Sequence, residues 1–235
     1  MSQQNHQDND NPFLNKVFLV DKDLRWTSFD VVKKLRILFK IKKIGHAGTL
    51  DPLATGLLIL CTGKMTKRIE KFMAQEKEYT GTMIIGKTTP SFDLETEIDN
   101  EKNIDHITED KIYGSVSSFL GAIMQEPPLY SAISINGERA YHKARRGQQV
   151  SIQPREVHLH EFEITGIKLP EVDFRIVCSK GFYVRSLVRD FGIALGVGAH
   201  MTALRRTRIG SFTIEEAKTI EQIQQEVVSA RDEDL

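Results

Sequence analysis

The chain has 235 residues, 40% apolar and 27% charged, with a formal net charge of zero. This balance is typical of a globular protein with a substantial core, in one large domain or two small ones. The longest aliphatic run, Leu57 to Cys61, is far shorter than the roughly 18 residues of a membrane span, and the polar N-terminus resembles no secretory or transit signal. Cys61 and Cys178 are isolated, which indicates buried thiols. We therefore predict a cytoplasmic protein without membrane contact.

Charge is segregated along the chain. Residues 13–212 have a net charge of +7, although they include the acidic segment 91–110, whose net charge is −7. The segments on either side of it, 13–90 and 111–212, together carry +14. Such a body attracts a polyanion such as nucleic acid, although a solvated surface with charged tails explains the same charges.

The first half of the chain alternates between strand-like and helix-like patterns. The predicted elements are a strand at 16–20, a helix capped by Thr27 or Ser28, a strand at 57–62, a helix at 64–74, a strand at 79–85, an exposed acidic loop at 91–105 and a helix around 112–120.

The second half begins with an extended segment after Pro127-Pro128 and a tight turn at Asn136-Gly137. The further predicted elements are a basic helix with Arg139, Lys143, Arg145 and Arg146, strands at 157–167 and 172–178, a helix ending near Leu195, a strand with Arg205, Arg206 and Arg208, and an acidic helix near 220–230. Because helices and strands do not alternate strictly, we predict an α+β fold, with a mixed, largely antiparallel central sheet flanked by helices. No linker is apparent, so we expect a flexible tail at 1–12 and a single domain at 13–235.

Asp51 lies in the segment Gly45–Gly56, GHAGTLDPLATG, which is rich in Gly, Pro and Thr. Such a loop can present a side chain in a cleft. No second acid lies in the segment, so a lone carboxylate here indicates a nucleophile or an ion-pair partner, although Asp-Pro is also common in turns.

The segment GHAGTLDPLATG, followed by KEYTG, PPLYSA and SKGFYVRSL, closely resembles the TruB family of tRNA pseudouridine synthases. The resemblance extends from Val20 to about Ser211, with the motifs in the same order. It implies the pseudouridine synthase catalytic fold, and isomerisation of the uridine at position 55 in the T-arm of tRNA, without cofactor or metal. We expect a monomer.

This sequence departs from the family in two places. Lys22 is followed by Asp23, where family members often have Lys-Pro, so this loop is expected to differ in shape. The chain also ends about 25 residues after the last motif of the catalytic domain. A short form without the C-terminal RNA-binding PUA domain is therefore expected, with weaker docking of the tRNA acceptor side.

The resemblance assigns the catalytic roles to three residues. Asp51 matches the nucleophile, which attacks C1′ or C6 or removes the C2′ proton, and the sequence leaves these routes open. Arg185 matches the arginine that pairs with this acid, and Arg185→Ala is expected to lose activity while the fold survives. Tyr79 matches the tyrosine that stacks on the target base and assists proton transfer at C5.

The resemblance also implies contacts with an extruded nucleotide. His46 matches the histidine that enters the T-loop, Asp93 an aspartate that contacts RNA or organises the cleft, and Tyr183 and Leu204 line the pocket. We expect phosphate contacts from basic residues on the rest of the chain: Lys22, Lys64, Lys67, Arg145, Arg146, Arg205 and Arg206.

Two other readings of the sequence remain open. A non-catalytic RNA-binding module or tRNA-folding chaperone would need the basic surface but not Asp51. An aspartate-nucleophile phosphatase would bind magnesium and carry a second Asp two residues after the first, where this chain has Leu53.

Overall fold

The computed structural model describes residues 11–131, 134–135, 138–139, 146 and 152–232. They form two compact units: the first has the described residues up to Lys77 and from Arg205 onward, and the second has those from Glu78 to Leu204. Both boundaries fall inside strands, which explains why no Gly- or Pro-rich linker marks them in the sequence. The single domain expected over 13–235 stays a prediction.

Five helices and thirteen strands cover most of the described residues. In chain order they are β1 (Val17–Lys22), α1 (Ser28–Phe39), β2 (Ile44–His46), β3 (Ala54–Thr62), α2 (Ile69–Met73), β4 (Lys77–Ile85), β5 (Lys87–Thr88), β6 (Asn100–Glu101), α3 (Glu109–Val116), β7 (Gly121–Gln125), β8 (Ser134–Ile135), β9 (Glu138–Arg139), β10 (Arg155–Lys168), β11 (Glu171–Cys178), α4 (Val184–Ala194), β12 (Ala199–Ile209), β13 (Phe212–Thr213) and α5 (Ile220–Asp232). Short 3-10 helices occupy Gly63–Arg68, Ser117–Phe119 and Ile214–Glu216.

The sheet of the first unit has the strand order β1–β3–β12, with β2 paired to β3 and β13 to β12. β1 and β3 are antiparallel, with Val20 opposite Leu58. The core of this unit combines the apolar face of α1 with β3 and with the inner face of α5, which contributes Ile223 and Val227. The acidic C-terminal helix is therefore part of the packed structure, because its apolar side chains are buried.

Helix α1 begins where its sequence signal predicted. Thr27 is the N-cap: its side chain accepts a hydrogen bond from the Asp30 backbone N–H, and the Asp30 side chain accepts one from the Thr27 backbone N–H. This reciprocal arrangement is a capping box, which satisfies two donors that the first helical turn leaves open. The buried apolar residues Val31, Leu35 and Phe39 then follow at helical spacing.

The sheet of the second unit has the strand order β12–β4–β11–β10–β7. β10 is antiparallel to both β11 and β7, and Arg155 of β10 is opposite Gln125 of β7. Three phenylalanines pack together beside this sheet, with ring centroids 5.4 Å apart between Phe162 and Phe191 and 6.3 Å apart between Phe162 and Phe174. They bury a large apolar area, which stabilises the contact of α4 with the sheet.

The structure confirms the mixed, largely antiparallel α+β fold and most predicted elements. It corrects the prediction of an exposed loop at 91–105, because this stretch contains the short strand β6 and the buried residues Ser91 and Asp93. Arg139 lies in β9, outside any helix, and most of the predicted basic helix and the turn Asn136-Gly137 lie outside the described residues. Among the helices of the described ranges, none has the length and apolar character required to cross a membrane.

Candidate active site

The predicted site residues fall in both units. The first unit contains Lys22, His46, Asp51, Lys64 and Arg205, and the second contains Tyr79, Asp93, Arg146, Tyr183, Arg185 and Leu204. Arg145 lies outside the described residues. The pairing of Asp51 with Arg185 would join the two units and stays a prediction.

Asp51 is half-buried in the loop that joins β2 to β3, called here the Asp51 loop (residues 47–53). Ser28, buried at the start of α1, accepts a hydrogen bond from the Leu50 backbone N–H at 2.9 Å and donates one to the Leu50 carbonyl at 3.2 Å. The Ala54 N–H donates to the Asp51 carbonyl at 3.0 Å. These bonds fix the backbone on both sides of the Asp51 side chain.

Arg206 is hydrogen-bonded to the same loop. Its guanidinium is 1% exposed and donates to the Leu57 carbonyl at 2.7 Å and to the Gly48 carbonyl at 3.1 Å. The backbone of β12 also approaches so closely that a Cβ on Gly56 would lie 2.3 Å from the Arg206 carbonyl oxygen. Gly56 has a φ of +101°, which other residues rarely adopt. The structure therefore corrects the expectation that Arg206 contacts phosphate, since its charge is buried.

Lys22 is also buried, with no exposed surface. Its ammonium donates to the Trp26 carbonyl at 2.7 Å and to the Asp23 carbonyl at 3.0 Å. Burial lowers the pKa of Lys22 from 10.5 to about 8, and the nearby Asp51 carboxylate opposes this shift. The structure corrects the predicted phosphate contact of Lys22 and identifies it instead as a buried cation near Asp51.

His46 is half-buried at the end of β2. Burial lowers its pKa from 6.5, and the neighbouring Arg206 cation lowers it further, so the imidazole is neutral at pH 7. A neutral ring can stack on a base or form a hydrogen bond without adding charge. The predicted T-loop contact of His46 stays a prediction.

The remaining basic residues of the predicted interface are accessible to solvent. Lys64, Lys67 and Arg146 are exposed. Arg205 is 41% exposed and forms two hydrogen bonds with the Asp21 carboxylate, at 3.0 and 2.7 Å. This pair is partly buried and bidentate, so a phosphate contact from Arg205 would compete with the Asp21 carboxylate for the guanidinium. Their phosphate contacts stay predictions.

In the second unit, Arg185 is held at the first turn of α4 and is 3% exposed. Its guanidinium donates to the Ser91 carbonyl at 3.2 Å and to the Tyr130 carbonyl at 2.9 Å, and it lies 3.5 Å from the Asp93 carboxylate. Asp93 is buried, and its role as an organising residue of this arginine fits the geometry better than direct RNA contact. The structure thus places a fixed cation in this unit.

Tyr183 precedes this helix and is the N-cap residue of α4. Its half-exposed ring lies under the Arg155 guanidinium, 4.9 Å from the ring centroid. Tyr79 in β4 and Leu204 in β12 are each 8% exposed. Their predicted places in a base-binding pocket stay predictions.

The sequence did not predict the structural roles of three buried polar residues, Ser28, Gln125 and Arg206. A signal existed for Arg206, because alternation along a strand puts it on the same face as Leu204. Ser28 was assigned only to helix capping. Nothing in the sequence predicted that the Gln125 side chain bonds the backbone of Tyr183, which lies 58 residues away.

Two family models match successive parts of the chain. The model described as TruB family pseudouridylate synthase (N terminal domain) matches residues 36–184. The model described as tRNA pseudouridylate synthase B C-terminal domain matches residues 185–235. Together they include every helix and strand described above except β1 and the first part of α1.

Known proteins are similar over nearly the whole chain. The tRNA pseudouridine synthase B of Flavobacterium johnsoniae is 55% identical over 209 residues, which cover 86% of this chain and 91% of the relative. That of Phocaeicola vulgatus is 48% identical and covers 88% and 90%. The crystal structure of a Cbf5-Nop10-Gar1 complex contains a chain with a TM-score of 0.76 and 29% identity; the match covers 95% of this chain and 57% of that one.

Proposed function

The chain belongs to the TruB family of pseudouridylate synthases, and we propose that it acts on the uridine at position 55 in the T-arm of tRNA, with Asp51 as the nucleophile. At the level of the overall reaction, the protein is an enzyme that isomerises uridine to pseudouridine in tRNA. The reaction breaks the bond between C1′ and N1 and forms one between C1′ and C5. C5 loses its proton to a base, and N1 of the product gains a proton. The product has the same atoms as the substrate, so no oxidant or second substrate is consumed.

The position of Asp51 is the observation that carries the proposal. Asp51 is half-buried on a loop whose backbone is bonded by Ser28 and Arg206, and the buried Lys22 cation lies nearby. Nearby positive charge favours the ionised form, which is the form that attacks. A fixed carboxylate can attack C1′ or C6 or remove the C2′ proton, and each route requires that the uridine leave its stack.

Arg185 and Tyr79 complete the proposed chemistry. Arg185 supplies a guanidinium whose charge is constant over the working pH range, and it stabilises negative charge on the acid during the reaction. Tyr79 offers a ring for stacking and a hydroxyl for proton transfer at C5. His46, Asp93, Tyr183 and Leu204 are proposed to shape the site for the extruded base.

The exposed cations Lys64, Arg146 and Arg205 are proposed to bind the tRNA backbone. Phosphate contacts release counterions, so the affinity for tRNA is expected to fall steeply with added salt. Neither a metal nor a cofactor takes part in the proposed steps, and we expect the monomer to be the active form. Activity is therefore expected to be unchanged by EDTA, whereas a magnesium-dependent phosphatase would lose it.

The test uses an unmodified T-arm stem-loop as substrate and maps pseudouridine by mass spectrometry after chemical derivatisation. The wild type is expected to convert the uridine at position 55 and no other uridine of the stem-loop. A stem-loop with cytidine at that position is the matched substrate control and should give no product. Product at another uridine, or none with a folded and RNA-bound protein, would overturn the proposed site.

Asp51→Asn tests the nucleophile in the same assay, because the amide keeps the shape of the side chain but cannot attack. We expect product formation to fall by at least about a thousandfold while stem-loop binding is retained. Asp23→Asn, in the loop that follows β1, removes a carboxylate outside the proposed chemistry and should retain activity. Turnover of Asp51→Asn within tenfold of the wild type would exclude Asp51 as nucleophile.

A further inference from the structure

We propose that Gln125 is a positioning residue of the active site, which sets the orientation of Tyr183 and Arg185 through the Tyr183 backbone. The proposal rests on the proposed function, because Tyr183 and Arg185 matter only if the chain performs that isomerisation. Gln125 lies at the end of β7, directly before the segment Glu126–Ser131. Its side chain bonds the Tyr183 backbone, so it would act on the catalytic residues through the start of α4.

The Gln125 side chain forms two hydrogen bonds with a single residue. Its Nε2 donates to the Tyr183 carbonyl at 3.0 Å, and its Oε1 accepts from the Tyr183 backbone N–H at 2.7 Å. The amide is 1% exposed. A buried amide costs free energy unless it is hydrogen-bonded, and this pair of bonds uses both ends of the amide. The two bonds together define the position and the direction of the Tyr183 backbone.

Helix α4 depends on this support because its N-cap residue has no side-chain cap. Tyr183 forms no capping hydrogen bond with its own side chain. The next tie to the same turn comes from Ser186, whose hydroxyl donates to the Glu126 carbonyl at 2.7 Å. Gln125, the last residue of β7, and Glu126, which follows it, are therefore both bonded to the first turn of α4 or to its N-cap residue.

Arg155 of β10, the strand that pairs with β7, contacts the Tyr183 ring. Arg155 is opposite Gln125 in the pairing of β10 with β7. Its guanidinium lies over the Tyr183 ring and donates a hydrogen bond to the Gly181 carbonyl. The loop before α4 is thus bonded at Gly181 by Arg155 and at Tyr183 by Gln125.

Arg185 lies between the two bonded residues Tyr183 and Ser186. Because the long Arg185 side chain starts from this turn, a small rotation of the turn about the helix axis moves the guanidinium away from the Ser91 and Tyr130 carbonyls. A misplacement of about 1 Å at a catalytic group can cost roughly a hundredfold in rate. Loss of the Gln125 bonds should therefore lower kcat rather than substrate affinity.

Gln125→Glu is the decisive variant, because glutamate has the same shape but an ionised carboxylate cannot donate to the Tyr183 carbonyl. A protonated carboxyl has one donor and one acceptor, as the amide does, so lowering the pH should restore both bonds. Burial raises the pKa of such a carboxyl above its ordinary value of about 4.3. We expect kcat about 10- to 100-fold below wild type near pH 8, with the ratio of the two rising toward 1 near pH 5.5, and KM for the stem-loop within threefold.

Gln224→Glu is the matched control, because Gln224 is exposed on α5. Its kcat should follow that of the wild type at every pH. Gln125→Leu removes both bonds at any pH, so its loss of kcat should not recover in acid. A folded Gln125→Leu variant with kcat within threefold of the wild type would overturn the proposal, because it lacks both bonds at every pH.

Hydrogen exchange at the Tyr183 amide gives a second test that requires no activity. The bond to Gln125 protects this amide, so exchange should be at least about tenfold faster in Gln125→Leu than in the wild type. Unchanged exchange overturns the positioning role, whatever the assay shows. An inactive wild type in which this amide is protected by Gln125 would instead overturn the proposed function.

Discussion

Asp51 in the first unit and Arg185 in the second carry opposite charges and are positioned in different ways. Asp51 lies on a loop, and polar side chains that are distant in sequence, Ser28 and Arg206, bind the loop backbone. Arg185 lies on a helix, and its guanidinium is bonded directly to carbonyls beside the buried Asp93. The Asp51 side chain is thus positioned through its backbone, whereas the Arg185 side chain is positioned through its own guanidinium contacts.

Replacing Arg185 should produce the largest effect after that of Asp51→Asn. Arg185→Lys keeps a charge opposite Asp93, but a single ammonium cannot reproduce the planar set of donors that reaches both carbonyls and the carboxylate. We expect kcat to fall by about a thousandfold in a single-turnover stem-loop assay, with the fold retained. Arg189→Lys on the same helix, where the arginine pairs with Asp190 near the surface, should keep nearly full activity. Activity of Arg185→Lys within threefold of wild type would contradict the role of the guanidinium.

Arg185→Ala is a less informative variant than the sequence suggested. Truncation would leave the Asp93 carboxylate buried without its cation, which typically costs about 3–5 kcal/mol. The expectation that the fold survives this change is therefore harder to meet than for Arg185→Lys. Urea unfolding of both variants would measure the difference.

Lys22 makes the comparison sensitive to pH. Its pKa is about 8 in the folded protein, below the ordinary 10.5 expected when the chain unfolds. Between these values the unfolded chain binds more protons, so Lys22 makes stability rise with pH through this window, by up to about 3 kcal/mol. The free energy of unfolding of Lys22→Met minus that of the wild type should fall by roughly 2–3 kcal/mol between pH 7 and pH 10, which covers most of this window. A difference that is independent of pH would contradict the burial of the ammonium.

Ser28 tests whether fixing the Asp51 loop matters for catalysis. Ser28→Ala removes both hydrogen bonds to Leu50, and we expect about 1–2 kcal/mol lower stability and about a tenfold lower kcat. Ser118→Ala, which removes an exposed hydroxyl that donates to the Ser115 carbonyl, is the control and should change neither quantity measurably. Unchanged kcat in a folded Ser28→Ala would show that the loop keeps its position without these bonds.

Thr27 should give the smallest effect, although it is the neighbour of Ser28. Its side chain bonds only within the capping box, so Thr27→Ala should cost about 1 kcal/mol of stability. Activity should stay at the wild-type level, because no bond from Thr27 reaches the Asp51 loop. A drop in kcat similar to that of Ser28→Ala would indicate that α1 itself, rather than the Ser28 hydroxyl, fixes the loop.

Local patterns predicted the elements well, because capping and periodicity act over a few residues. Thr27 as N-cap, the buried strand β3 and the helix after Tyr183 are all confirmed. Charged residues were predicted less well. Lys22 and Arg206 were expected to contact phosphate, and both are buried; Asp93, expected to contact RNA or to organise the cleft, is buried beside Arg185. Residue type favours the surface for a charge, but burial depends on partners that the sequence pattern does not reveal.

The amino-acid sequence alone was sufficient for the family and the mixed antiparallel fold, since its motifs and periodicities are local features read in order. Its resemblance to the family also assigns catalytic roles to Asp51, Tyr79 and Arg185, and these roles stay predictions. Only the tertiary structure decided that Ser28, Gln125 and Arg206 bind backbone atoms far along the chain and that Lys22 is buried. The physical reason is that a buried polar group is stable only where specific donors and acceptors meet it, and those meetings are created by the fold.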